Sequence, residues 1–246
     1  MVRFIISLLL VSCGFTSIFA QTGDLKIAVA ANFLPPMKIV KSLYEEKYQG
    51  TLTLIVASSG KLTAQIVNGA PYDVFISADM KYLERIYKEE LAQQEPRVLA
   101  YGTLTFWSAK PTTNSIAKRL KKAKTIAIAQ PNLAPYGLET RRWLQKQGWW
   151  NSVKDKLVYA ENVSQVNQYI ATDAVVAAFT ANSARHIDSI SKKGNWQNII
   201  GHSPLPHGFV VLRNSEADKY TIDQFIEFIR SPLALKVIQD FGYQLP

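Results

Sequence analysis

Short apolar runs recur along this chain, and several lead into a stretch with helical spacing. The runs are Leu25–Ala31, Leu52–Ala57, Asp73–Ala78, Thr103–Ser108, Thr125–Ala129, Leu157–Ala160, Ala174–Phe179 and Gly208–Leu212. Several are almost unbroken, as strands are when helices cover both faces of their sheet. After the first run, Phe33–Tyr48 carries Leu34, Met37, Val40, Leu43 and Tyr44 on one helical stripe. Leu138–Gln147 and Ile222–Ile229 read the same way. This rhythm predicts an α/β fold with mainly parallel sheets. No low-complexity linker or obvious internal repeat interrupts it. The element order suggests two α/β lobes of similar size, one starting at Leu25 and another near Thr103.

The first residues stand apart from this rhythm. Met1-Val2-Arg3 supplies one positive charge, Phe4–Leu10 is apolar apart from Ser7, and Ala20 precedes the polar Gln21-Thr22-Gly23-Asp24. That pattern describes a secretory signal peptide over residues 1–20. The apolar run is short against the roughly 20 residues of a membrane span. Cleavage after Ala20 leaves 246 − 20 = 226 residues. Leu10-Val11-Ser12-Cys13 also resembles a lipoprotein box, so lipidation at Cys13 is the alternative. Cys13 is the one cysteine in the chain. Cleavage after Ala20 therefore removes disulfides, thiolate metal ligands and cysteine nucleophiles together.

Loss of Arg3 lowers the formal charge from +9 to +8. The positive charges are scattered, and no basic stripe is interleaved with aromatics, so nucleic-acid binding is not expected. A basic balance modestly helps to attract an anion.

Small or polar residues collect where strands hand over to helices, and this happens four times. Ala31-Asn32 follows the first strand. Ser58-Ser59-Gly60 follows the second and opens Lys61–Val67. Ala134-Pro135-Tyr136-Gly137 follows the run ending at Ala129, and Asn162-Val163-Ser164 follows Leu157–Ala160. A helix start presents free N–H groups and partial positive charge, which suits an anion. Ligands of open α/β sheets collect at the carboxyl ends of strands. Each junction also has a simpler reading, because a Ser or Asn before a helix is ordinarily a cap worth about 1 kcal/mol. Residue chemistry thus points to an anion-binding α/β protein and does not name the anion.

At these junctions the sequence resembles the molybdate-binding periplasmic proteins of bacterial ABC transporters, over almost the whole mature chain. The most specific block is residues 56–79. It has a serine-rich helix start at Ser58-Ser59, then Gln65-Ile66, Gly69-Ala70-Pro71, Asp73-Val74-Phe75 and Ser77-Ala78-Asp79. Ala30-Ala31-Asn32-Phe33, Gln147-Gly148-Trp149-Trp150, Ala160-Glu161-Asn162-Val163 and the tail from Ser231-Pro232 to Phe241-Gly242-Tyr243 are similar to the family too.

The resemblance implies a type II periplasmic binding protein with a ligand cleft between two lobes. Residues 21–102 with 208–246 would form one lobe and residues 103–207 the other. The ligand would be molybdate or tungstate, with no cofactor and no direct protein–metal ligand, since molybdenum is held through its oxygens. Asn32 looks like the first-lobe donor, and Ser59 like the serine whose hydroxyl and N–H hold an oxygen. Tyr136 matches a helix-start position, and Val163 a backbone N–H donor. The chain departs from the pattern at Ala31, which offers no hydroxyl, and at Thr180, where some members use a tyrosine. Lys61 reads as a solvent-facing helix lysine. The implied partner is a membrane permease, and the protein is expected to be a periplasmic monomer.

Rival functions are a sulfate- or phosphate-type oxyanion binder, an oxyanion sensor and a secreted hydrolase. A hydrolase needs a nucleophile with a base, or metal ligands. His202 and His207 bracket the turn-like Ser203-Pro204-Leu205-Pro206, and His186 is distant in sequence. Asp73 reads as a loop residue and Asp79 as a helix cap. Neither Gly-x-Ser-x-Gly nor His-Glu-x-x-His is present. Reversible binding without catalysis is the expectation.

Overall fold

The computed structural model describes residues 23–110, 113 and 115–246. The expected signal peptide, Cys13 and the Ala20 cleavage site lie outside the described residues. No helix among the described residues is long and apolar enough to cross a membrane.

The first half contains β1 (Leu25–Ala30), α1 (Leu34–Tyr48), β2 (Leu52–Ala57), α2 (Ser59–Val67), β3 (Val74–Ser77), α3 (Met80–Lys88) and β4 (Arg97–Gly102). The chain then crosses to a second half. This contains β5 (Leu104–Ser108), α4 (Ile116–Lys122), β6 (Ile126–Ala129), α5 (Pro135–Lys146), α6 (Trp150–Val153), β7 (Leu157–Ala160), α7 (Val163–Ala171), β8 (Ala177–Ala181), α8 (Asp188–Ser191) and β9 (Asn195–Asn198). It returns as β10 (Leu205–Val211), α9 (Lys219–Ile229) and α10 (Pro232–Asp240). Two five-stranded sheets result, in the orders β2-β1-β3-β10-β4 and β7-β6-β8-β5-β9.

Each sheet has a parallel side, as the apolar runs predict, and an antiparallel side. β1 pairs in parallel with β2 and β3, and β6 with β7 and β8. β10 is antiparallel to β3 and β4, as β5 is to β8 and β9. Two strands that the apolar pattern does not predict, β4 and β9, lie at sheet edges. An edge strand is wetter and loses the continuous apolar signature: Arg97 and Val98 are exposed, as are Gln197 and Asn198.

The last strand also begins earlier than the apolar run suggests, which carries Pro206 and His207 out of a turn and into β10. β3 pairs only with Gly208–Val211, so Pro206 costs no ladder bond on that side. The pairing with β4 shifts register between His207 and Gly208. β8 starts three residues later than expected and ends two later, which puts Thr180 inside the strand.

α9 and α10 pack on α1, and the Tyr44 ring meets Phe225 and Phe228 edge-on at 5.7 and 5.5 Å. Asp73 is not a free loop carboxylate. It is buried and accepts from the N–H of Lys26 at 2.6 Å and from Ser215 Oγ at 2.6 Å, pinning the segment after β10 to the sheet. Asp79 caps α3 by accepting from the N–H of Lys81 at 3.0 Å. The chain's five tryptophans, Trp107, Trp143, Trp149, Trp150 and Trp196, all belong to the second half.

Candidate functional site

The four sequence junctions meet at one place. Ala30, Ala31, Asn32, Ser58, Ser59, Ala134, Pro135, Tyr136, Asn162 and Val163 line a common pocket between the two sheets. The carboxyl ends of β1 and β2 supply one wall and those of β6 and β7 the other. All four predicted site residues are therefore brought together, and none of the lining residues carries a charge. The cavity is small, about 10 Å³ for the centre of a water-sized sphere, which is room for one compact species. A larger groove of about 390 Å³, lined by Leu34, Lys38, His186 and Phe241 among others, shares only Ser164 with the four junctions.

The first wall holds two serines and an asparagine. Ser59 opens α2 and is fully buried. Its Oγ accepts from the N–H of Ala78 at 3.0 Å, which fixes the hydroxyl and leaves its own proton to donate. Asn32 follows β1 in a single 3-10 turn, Ala31–Phe33. Its side-chain amide faces a cluster of rings: Nδ2 donates to Tyr243 Oη at 3.0 Å, to Tyr136 Oη at 3.5 Å and to His207 Nε2. Tyr243 Oη donates back to the Asn32 carbonyl at 2.8 Å. The amide thus anchors the turn. What the turn offers the pocket is backbone N–H, as the first turn of any helix does.

The second wall is made of two helix starts. Ala134 sits at the cap position of α5 with no side-chain cap, Pro135 occupies the first turn, and Tyr136 follows. The Tyr136 phenol is buried, and burial first, then the neighbouring Tyr243, pushes its pKa well above the ordinary value, against a smaller opposing effect of Asn32. It therefore stays protonated and able to donate. Gly102 makes its position possible, because a Cβ there would fall 2.1 Å from Tyr136 Oη and 2.6 Å from His207 Cε1. Val163 is the first residue of α7, and Asn162 caps that helix by accepting from the N–H of Gln165 at 3.1 Å. Thr180 takes no part, since its hydroxyl donates to Asn167 Oδ1 at 2.8 Å.

Contacts between the walls hold them against each other. The N–H of Gly60 donates to the carbonyl of Leu133 at 2.9 Å, and a Cβ on Gly60 would lie 2.9 Å from that same oxygen. Ser164 Oγ donates to the Ala31 carbonyl at 3.2 Å, and Ser183 Oγ to the Asn32 carbonyl at 2.9 Å. Lys61 is not a lone surface lysine. Its Nζ pairs with Glu161 Oε1 at 2.7 Å, joining α2 to the segment before α7.

His207, Tyr243 and Gly102 are the members of this site that the sequence does not announce. His207 is fully buried, and burial holds its pKa down at about 4, against a smaller opposing effect of the Leu205 carbonyl. Its Nδ1 lies 2.8 Å from that carbonyl, so the proton sits on Nδ1 and Nε2 accepts from Asn32. Phe33 stacks on His207 at 5.5 Å and meets Tyr243 edge-on at 4.9 Å. No group of three or more His, Cys, Asp or Glu among the described residues is arranged to hold a metal ion.

Two mixed α/β sheets with a small uncharged pocket at the facing strand ends define a type II periplasmic binding protein. Residues 25–244 match the model of the bacterial extracellular solute-binding protein family, and the chain belongs to that family. A molybdate-binding protein ModA from Azotobacter vinelandii is 32% identical over 238 residues, covering 94% of this chain and 94% of its own length. The molybdate-binding protein ModA of Rhodobacter capsulatus is 31% identical over 230 residues, covering 91% of this chain and 89% of its own. The solved structure of the periplasmic molybdate-binding protein of Azotobacter vinelandii has a TM-score of 0.84 at 30% identity, covering 90% of this chain and 99% of that one.

Proposed function

We propose that this protein captures molybdate or tungstate in the periplasm and delivers it to the permease of an ABC importer. The observation that carries this is the neutral pocket: four helix starts, two from each sheet, surround it, and no lining side chain is charged. A dianion there is held by fixed N–H and O–H dipoles, and no buried counter-charge has to be desolvated. Asn32, Ser59, Tyr136 and Val163 are the contact residues in this scheme. Asn32 acts through its backbone, Ser59 through its hydroxyl and N–H, Tyr136 through its phenol and Val163 through its N–H. Relatives more than 30% identical bear the name of molybdate-binding proteins, which supports the choice of anion.

A tetrahedral dianion is larger than a water molecule, so the walls separate to admit it and close over it. The moving bodies are the lobe of the first sheet, residues 23–102 with β10 and the chain that follows it, and the lobe of the second sheet between them. Rotation takes place where the chain crosses between sheets. The protein works as a monomer, without cofactor, catalysis or nucleic acid, after export and cleavage behind Ala20. Lipid attachment at Cys13 is the alternative anchor.

Thermal unfolding with molybdate, tungstate, sulfate and phosphate added separately tests this. A ligand at 100 times its dissociation constant stabilises by about 2.7 kcal/mol. Molybdate and tungstate are expected to raise the melting temperature, and Ser59→Ala to lose most of that rise. A rise with sulfate or phosphate alone overturns the choice of anion. No rise with any of the four overturns oxyanion binding, and an undiminished rise in Ser59→Ala overturns the site.

A further inference from the structure

Ser58 stands at the cap position of α2, where a serine ordinarily accepts from a first-turn N–H. Its φ of −66° and ψ of 150° suit a cap, yet its side chain makes no cap hydrogen bond. Asp79, Asn162, Asp218 and Ser231 all make that bond at their own helices. Ser58 Oγ is buried and has no hydrogen-bond partner at all, in a residue only 3% exposed. A buried hydroxyl left unpaired is unfavourable, and such groups in native proteins generally have a reason.

The position supplies the reason. Ser58 lines the pocket beside Ser59. Ala30 is in register with Ala57 on the neighbouring strand, so Ala31 and Ser58 leave β1 and β2 side by side. The methyl group of Ala31 brings no hydroxyl and leaves the polar role at this corner to Ser58. We propose that Ser58 is a direct ligand of the bound oxyanion, its hydroxyl donating to an anion oxygen next to the one held by Ser59. This rests on the oxyanion-binding function proposed above and adds a side-chain donor to it. The place of Ser58 at the positive end of α2 favours the same contact.

Calorimetric titration of sodium molybdate into the unmodified protein and into Ser58→Ala tests the assignment, with thermal unfolding of both proteins without anion. Loss of one charge-assisted hydrogen bond is expected to weaken binding roughly 10- to 100-fold. The melting temperature without anion should stay the same or rise, because the substitution removes an unpaired hydroxyl rather than a bond. Equal molybdate affinity in the two proteins overturns the role of Ser58 alone. A melting temperature that falls in step with affinity also overturns it, by making the hydroxyl structural. An unmodified protein that binds no molybdate, tungstate, sulfate or phosphate overturns both this role and the oxyanion function.

Discussion

The pocket has two ends built on different principles. At the aromatic end, Asn32, Tyr136, His207 and Tyr243 bond to one another, and Phe33 packs on the rings. At the hydroxyl end, Ser59 accepts a single N–H bond and Ser58 has none. A polar group that is already satisfied inside the protein holds shape; one with bonding capacity to spare is available to a ligand. In the proposed binding scheme the aromatic end is therefore the frame, with the Tyr136 proton and the Asn32 backbone as its contributions to binding, and the hydroxyl end is the grip. An asparagine and a serine that look equivalent in sequence take different parts for this reason.

The largest expected effect comes from acid, and it acts on the frame. His207 has a folded pKa of about 4 against an ordinary 6.5, so between these values the unfolded chain binds more protons than the folded one. The stability from this group is intact above about pH 6.5 and is lost as pH falls toward 4, by about 3 kcal/mol in all. Urea unfolding of the unmodified protein and of His207→Gln at pH 7 and pH 4 measures it. The variant should lose about 3 kcal/mol less on acidification. Equal losses would break the picture of a neutral, buried frame.

Next is Gly102→Ala, whose added methyl lands on Tyr136 Oη and His207 Cε1. Overpacking of this kind costs about 2 kcal/mol. Chemical denaturation should show that loss together with weakened molybdate binding, because the frame sets the position of the Tyr136 hydroxyl. A destabilised variant that binds normally would separate the two ends completely.

Tyr136→Phe removes the side-chain donor that the frame contributes and keeps the ring. Molybdate affinity measured by calorimetry should drop about tenfold, which is about 1.4 kcal/mol. The smallest effect belongs to Lys61→Met. Its ion pair with Glu161 is half exposed, and such pairs contribute about 0.5 kcal/mol or less, reduced further by salt. Affinity should change less than about twofold. A tenfold loss would show that a full positive charge, and not neutral dipoles alone, holds the anion.

Much of this site was legible because it is local. An apolar run followed by Ser-Ser-Gly or Ala-Pro-Tyr-Gly marks a strand end and a helix start within a few residues, which picks out the four junctions; within them it is the family resemblance that singles out Asn32, Ser59, Tyr136 and Val163. What escaped is non-local. His207 meets Asn32 across 175 residues and Tyr243 meets it across 211, through a final strand and C-terminal segment that return to the first sheet. No spacing rule encodes such contacts. Ser58 escaped for another reason: a serine before a helix has the composition of a cap, and only the absence of the cap bond shows it is not one. The edge strands β4 and β9 were missed because solvent on one side replaces the apolar residues by which buried strands are recognised.

The confinement of all five tryptophans to the second half gives the protein an optical asymmetry. Its tryptophan emission is a spectrum of one lobe, whereas far-ultraviolet circular dichroism averages over both. If the lobes melt together the two signals trace one curve; if they melt in turn the curves separate, and the order of separation names the weaker lobe. The molecule thus carries a native label on one of its two lobes, and no dye is needed to watch that lobe alone.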